Sequence, residues 1–150
     1  MLIDSSWFTQ GSRHIQNANA GNTVNLDSMD VSDAIEAYIT EYQDQFLYEM
    51  VGPEMAVKGE DFLDKLGDKA KQMLCESFAD YVFFLILRDS NTQSKVTGLV
   101  QLKCADTYVA PIRRQVTAWN RMVDRNRRFA ELTGLSVSKN MLTKINCLNL

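Results

Sequence analysis

Arginine is the residue type whose number and spacing most clearly suggest chemistry in this chain of 150 residues. Arg121, Arg125 and Arg128 recur at intervals of four and three residues, so a helix would place them on one face. Arg114 lies one or two turns earlier on the same segment. Guanidinium groups bind phosphate and carboxylate through paired hydrogen bonds. Three interpretations follow: a phosphate-facing surface, ion pairing with the acidic face of an adjacent copy, or a solvated helix face.

Residue types that serve metal sites and covalent catalysis are few and scattered. The cysteines, Cys75, Cys104 and Cys147, are far apart in sequence, and the only histidine, His14, lies in a loop-like segment. A zinc site needs clustered ligands. The sequence also contains neither a Walker-type phosphate loop nor a Gly-x-Ser-x-Gly motif. We therefore expect no catalytic residue, no metal and no cofactor, and we predict that the chain is not an enzyme.

Charge is divided unevenly along the chain. Residues 1–110 carry 8 basic and 17 acidic side chains, a balance of −9, whereas residues 111–150 carry 8 basic and 2 acidic side chains, a balance of +6. Such asymmetry indicates either a nucleic-acid surface or electrostatic pairing between copies. The larger negative balance argues against simple wrapping on DNA.

Length and hydropathy are typical of one globular domain. No run of about 18 apolar residues is present, so we expect no membrane span. The N-terminal segment lacks the basic region and apolar core of a signal peptide. We therefore predict that the protein is made and folded in a cytoplasm.

The arginines are positioned by the last helix of a predicted mainly α fold, a small bundle of about four helices. This helix should begin near Ala110-Pro111 and end at Gly134, since proline suits a first turn and glycine suits a C-terminal stop. Its predicted buried stripe contains the following residues: Ile112, Val116, Trp119, Met122, Val123, Phe129 and Ala130.

The other helices are predicted from periodicity and helix-ending residues. A first helix should start at Asp30 or Ser32 and end at Gly52-Pro53, followed by one or two short helices over residues 53–67. A central helix should start near Asp68 and become apolar on all sides over residues 78–87, which indicates cover on more than one side. The polar run from residue 88 to residue 92 is predicted to end it.

The predicted organisation is a 1–29 N-terminal arm, a 30–134 helical domain and a 135–150 C-terminal docking tail. The arm is rich in turn-forming residues but carries Trp7 and Phe8 as apolar anchors. Partial alternation over residues 95–103 predicts a short β-like hairpin. The tail is too apolar to remain in water; its anchors are Met141, Leu142, Ile145 and Leu148.

Several segments together resemble a family of small structural proteins from Bacteroides-infecting, crAss-like tailed phages. The apolar helix followed by Arg88-Asp89 and Thr92, and the glycine-centred piece Thr97-Gly98-Leu99-Val100, are similar to segments of that family. The likeness runs in order from about residue 5 to residue 130 and departs from the pattern in the tail. Its remaining motifs are Ser6-Trp7-Phe8-Thr9, His14-Ile15-Gln16-Asn17, the segment from Ile39 to Gly52 and the helix around Ala118-Trp119-Asn120.

The resemblance implies a virion protein of the head–tail connector, or neck. Proteins of this kind are adaptors that form a ring of twelve copies under the portal, continue the DNA channel and support the next ring or the tail. The expected partners are other copies of the chain, the portal protein and the next connector or tail protein, with DNA passing through without sequence-specific binding. No membrane partner and no catalysis are implied.

The charge pattern is compatible with a ring, because each ring contact joins two different faces of neighbouring copies. An acidic first helix and an arginine-rich last helix are candidates for those two faces. The predicted interface residues are Trp7, Phe8, Arg114, Arg121, Arg125, Arg128, Met141, Leu142, Ile145 and Leu148. The alternative hypothesis is a DNA-binding module that uses the four arginines of the last helix.

Overall fold

The computed structural model describes residues 2–15, 26–58, 60–92 and 111–145, and this part of the chain is mainly helical without a strand. The predicted mainly α class is therefore confirmed. The predicted hairpin at 95–103 and the anchor Leu148 lie outside the described residues. None of the described helices combines the length and the hydropathy needed to cross a membrane. The five helices are α1 (Leu26–Val51), α2 (Pro53–Val57), α3 (Glu60–Lys65), α4 (Asp68–Thr92) and α5 (Pro111–Thr133).

The core is organised around α4, which packs against α1 and most extensively against α5. Phe78, Ala79, Val82 and Ile86 of α4 are completely buried, and the neighbouring positions of residues 81–87 are buried with the exception of half-buried Phe84. The predicted cover of this segment on several sides is therefore confirmed. Burial of this many apolar side chains supplies most of the free energy that offsets the cost of ordering the chain.

Aromatic side chains join α1, α4 and α5 across the core. The ring of Phe46 in α1 lies 5.0 Å from that of Phe78 and 5.5 Å from that of Tyr81, both in α4. Trp119 in α5 lies 4.8 Å from Phe84, measured between ring centroids. These separations are those at which tilted and edge-to-face rings attract each other beyond simple area burial.

The first helix begins earlier than its capping residues indicated. We expected Asp30 or Ser32 at its start, but α1 begins at Leu26. Val31 and Ser32 are buried, so the segment that was expected to cap the helix belongs to its inward face instead. Carboxylates near a helix N-terminus are also compatible with the helix dipole.

The predicted end of α4 was also wrong, because the helix continues through residues 88–92 to Thr92. That segment contains neither glycine nor proline, so nothing in it forces the backbone out of the helical conformation. Asp89 is held from outside the helix, since the Tyr38 hydroxyl group donates a hydrogen bond of 2.6 Å to its Oδ2 atom. This contact fastens the C-terminal part of α4 to α1.

The boundaries set by glycine and proline agree with the prediction. Gly52 (φ 87°) separates α1 from Pro53 at the start of α2, and Gly134 (φ 70°) follows α5 directly. Within α5 the inward face differs from the predicted stripe, because Ile112 is exposed while polar Gln115 and Asn126 are buried. Sequence hydropathy cannot identify such polar core positions, since their burial depends on partners elsewhere in the chain.

We expect Phe78→Ala to lower the free energy of unfolding by about 3–5 kcal/mol, because it leaves a cavity beside Phe46 in the middle of the core. The measurement is urea denaturation followed by circular dichroism. Val57→Ala is the matched control, since Val57 is 87% exposed and its truncation should change stability by no more than about 0.5 kcal/mol. Equal losses in the two variants would contradict the assigned core.

Candidate functional site

A single buried carboxylate joins α4, α5 and the N-terminal arm. The side chain of Asp80 has no solvent exposure. Its Oδ1 atom accepts hydrogen bonds from Arg121 Nη2 (2.6 Å) and Arg13 Nη1 (3.0 Å). Its Oδ2 atom accepts from Arg125 Nη1 (2.6 Å) and Arg121 Nε (3.1 Å). Arg121 therefore binds both carboxylate oxygens, which is the strong, orientation-specific geometry of an arginine–carboxylate pair.

The cluster around Asp80 carries more positive than negative charge. Arg125 also reaches Glu76, with 3.2 Å between Nε and Oε2, so three guanidinium groups face two carboxylates. Burial by itself would raise the pKa of Asp80, but hydrogen bonds from Arg121 and Arg125 outweigh that effect and hold the pKa below its usual value. Asp80 is consequently ionised at neutral pH, and it neutralises part of an otherwise repulsive arginine cluster.

The N-terminal arm is bound to its own domain by polar and apolar contacts. Ser12 accepts a hydrogen bond of 2.7 Å at its Oγ atom from Arg121 Nη1, and its carbonyl oxygen lies 3.3 Å from Arg114 Nη2. The Arg13 guanidinium group, which also binds Asp80, lies 5.9 Å from the ring centroid of Trp7. The arm also contributes three apolar side chains to the core, namely Ile3, Phe8 and Ile15.

The described part of the tail lies along α5 and is held by side chains of that helix. Asn120 donates a hydrogen bond to the carbonyl oxygen of Ile145 and accepts one from its backbone N–H group, each of 2.9 Å. The indole N–H of Trp119 donates to the carbonyl oxygen of Thr143 at 2.8 Å. The side-chain amide of Asn126 donates a hydrogen bond of 3.0 Å to the carbonyl oxygen of Met141, whose side chain is buried in the core.

The tail also reaches the end of α1. The backbone N–H of Ser138 donates a 2.9 Å hydrogen bond to the carbonyl oxygen of Glu49 in the last turn of that helix, where carbonyl groups lack helical partners. An ion pair of 3.0 Å joins Lys144 to Asp124 of α5. The tail therefore connects α5 with the C-terminal end of α1 in addition to covering α5.

The structure divides the predicted arginines between two kinds of position. Arg121 and Arg125 lie in the Asp80 cluster, and Arg114 contacts the backbone of the arm and lies over the ring of Phe83 at 5.0 Å. Arg128 is exposed, and its Nε atom donates to the carbonyl oxygen of Asp124 at 3.4 Å. The shared-face arrangement predicted from sequence thus includes arginines that bind a carboxylate of their own chain.

The predicted apolar interface residues are buried or partly buried in their own chain wherever the structure describes them. Phe8 and Met141 are buried in the core, while Trp7, Leu142 and Ile145 are partly buried. Intermolecular contacts of these residues therefore stay a prediction. Over residues 2–15 and 135–145 the arm and the tail contact their own domain, whereas both ends were expected to bind other chains; such binding stays a prediction.

Sequence reasoning did not identify Asp80 as the centre of the cluster. The available signal was its position: it is the only charged residue in the apolar run of residues 78–87. A charge in a segment covered on several sides must be paired, because leaving it unpaired in the interior is prohibitively unfavourable. That argument predicts a cationic partner but does not say which of the chain's arginines supplies it.

Among residues 2–15, 26–58, 60–92 and 111–145, no three His, Cys, Asp or Glu side chains are grouped so that they could hold a metal ion. Comparison with protein-family models, with curated proteins and with solved structures found no match to this chain.

Replacing Asp80 by asparagine should destabilise the protein at pH 7 by about 3–5 kcal/mol, because three guanidinium groups would lose their shared negative charge. The folded-state pKa of Asp80 is depressed. Its stabilisation is therefore fully present above the unfolded-state pKa of about 4 and is lost as pH falls toward the folded-state pKa.

The difference in unfolding free energy between wild type and Asp80→Asn should thus shrink below about pH 4. Urea denaturation at a series of pH values measures it. Asp44→Asn is the control, since Asp44 is exposed and forms no salt bridge with a described residue. A difference that stays constant from neutral to strongly acidic pH would show that the charge of Asp80 is not the stabilising feature.

Asn120→Ala should release the tail from α5, because both backbone groups of Ile145 lose their partner. Limited trypsin digestion followed by mass spectrometry measures the release as cleavage after the exposed residues Lys139 and Lys144. We expect cleavage to be roughly tenfold faster than in the wild type, which corresponds to the loss of one to two hydrogen bonds. Asn140→Ala, at an exposed tail position, should be digested at the wild-type rate. Equal cleavage rates in all three proteins would show that Asn120 does not hold the tail on α5.

Proposed function

We propose that this protein is a structural virion component that forms a ring in the head–tail connector of a tailed phage, made in the cytoplasm of the host bacterium. In this role it joins the portal to the next ring or the tail, and the ring continues the DNA channel. The proposal carries no catalytic step and needs no cofactor. It rests on a resemblance to connector proteins of crAss-like phages, whose motifs occur in the same order between about residues 5 and 130 of this chain.

The observation that carries the proposal is that the residues of those motifs perform packing and fastening tasks. Trp119 and Asn120 form hydrogen bonds to the tail. Asp89 accepts a hydrogen bond from the hydroxyl group of Tyr38, and Phe46 of α1 packs on α4. Phe8, from the arm motif, is buried in the core. These contacts attach the described parts of the arm and the tail to the helices, as expected of a structural subunit.

A ring subunit also needs two different contact faces, since each copy meets one neighbour with one face and the other neighbour with another. The helices supply candidates of opposite charge, because α1 contains Asp and Glu but neither Lys nor Arg, whereas α5 contains six arginines. The arm and the tail segments described above lie on their own domain. Among the described residues, the outward helix faces are therefore accessible to a neighbouring copy.

The alternative, a DNA-binding module that uses the arginines of α5, has less support. Two of its four arginines, Arg121 and Arg125, already bind Asp80 and Glu76, and Arg114 contacts the arm. Nonspecific DNA affinity depends on the number of cations that reach phosphates. A surface that retains few such cations would bind DNA weakly, which suits a channel through which DNA must pass.

The proposal is tested by mixing the purified chain with the portal protein of the phage that encodes it. Mass photometry of the mixture should show a portal particle enlarged by a ring of this chain, whose mass is 17.1 kDa per copy. Portal alone and chain alone are measured as controls. A chain that stays monomeric and leaves the mass of the portal unchanged would refute the connector role.

A further inference from the structure

Every charged side chain of α1 is acidic. Its inward face contains the buried residues Ile35, Ile39 and Phe46, and the spacing of a helix puts Asp33, Glu41 and Asp44 on the opposite side. All three carboxylates are exposed. None of them forms a salt bridge with a described Lys or Arg side chain. We refer to Asp33, Glu41 and Asp44 as the acidic face.

The acidic face ends beside an aromatic side chain. Tyr48 lies one turn beyond Asp44 on the same side of α1 and is 56% exposed. An exposed tyrosine next to carboxylates offers both apolar area and a surface on which an arginine side chain can stack. Tyrosine is enriched in protein contact surfaces, so Tyr48 is the candidate anchor of a contact at this end of the acidic face.

The outward surface of α5 is positive on balance, since its exposed arginines outnumber the carboxylates of Asp124 and Glu131, and the Asp80 cluster determines which arginines contribute to it. Arg121 and Arg125 point to Asp80, whereas Arg113 and Arg128 are exposed and form no salt bridge with a described carboxylate. Both lie on the side of the helix away from buried Met122, by helical spacing. We refer to Arg113 and Arg128 as the arginine face.

These two faces do not neutralise each other within one copy. Both helices pack on α4, and each charged face lies on the side of its helix away from the core. No salt bridge between described residues joins α1 to α5. The described part of the chain therefore leaves both sets of charges available to a second molecule.

We propose that the acidic face and Tyr48 of one copy dock on the arginine face of the next copy, which makes this pair of surfaces the repeating contact of the assembly. The inference rests on the proposed ring function and specifies which surfaces form the ring. The contact is heterologous, so every copy offers one face of each charge. Complementary charge also sets the orientation of neighbours, since like-charged faces repel.

Two charge-reversed variants test the contact. Glu41→Lys/Asp44→Lys turns the acidic face basic, and Arg113→Glu/Arg128→Glu turns the arginine face acidic. In a solution of either variant alone, every contact would oppose like charges, so assembly on the portal should be weakened by about tenfold or more. In an equal mixture, the two variants can alternate around an even-numbered ring with opposite charges at every contact, so assembly should recover.

The control variant Glu54→Lys/Asp61→Lys makes the same charge change at exposed positions of α2 and α3, outside both faces, and should assemble like the wild type. Thermal melting of each variant checks that it is folded. Assembly of wild type should also weaken as the sodium chloride concentration rises, because salt screens exposed charges; this measurement does not depend on the folding of any variant.

The outcomes separate the inference from the proposed function. Reversed variants that assemble like the wild type, a mixture that fails to recover, or wild-type assembly that is insensitive to salt would each overturn the proposed contact while a ring on the portal remains. A wild-type chain that does not bind the portal at all would overturn the connector role and the contact with it.

Discussion

The burial of one carboxylate is the constraint on which the arrangement of α4, α5 and the arm depends. Asp80 lies in a helix segment whose neighbours are almost entirely apolar, and its side chain is inaccessible to water. Such a charge is tolerated only where cations surround it with well-formed hydrogen bonds. Arg121 and Arg125, four residues apart, meet this need from α5, and Arg13 meets it from the arm. We expect this pairing to favour a single register between the three elements.

The tail is likewise held by apolar burial together with directional hydrogen bonds. Met141 contributes buried area, while the side chains of Trp119, Asn120 and Asn126 bind backbone groups between Met141 and Ile145. These bonds select one path for a segment that would otherwise bind α5 in many ways. Polar side chains of α5 therefore act as attachment points for the described part of the tail.

The Asp80 cluster also separates the arginines by task. Those that face the cluster stabilise the fold, and those that face outward remain available to other molecules. In the proposed connector, the outward arginines meet the carboxylates of a neighbouring α1, so that assembly uses charge left over after folding. The exposed carboxylates of α1 take no part in its core contacts, so they are either simply solvated or, as proposed, in contact with a partner surface of opposite charge.

Sequence alone determined the helical class, the helix ends at Gly52-Pro53 and Gly134, and the central position of residues 78–87. These features follow from periodicity and backbone preferences, which act over a few neighbouring residues. Tertiary structure alone decided that α1 starts at Leu26, that α4 continues through residues 88–92, and that Asp80 gathers Arg13, Arg121 and Arg125. The partners in that cluster are 41 to 67 positions apart in the chain. Their pairing depends on how the helices pack, and no local pattern of residues encodes a contact over such separations.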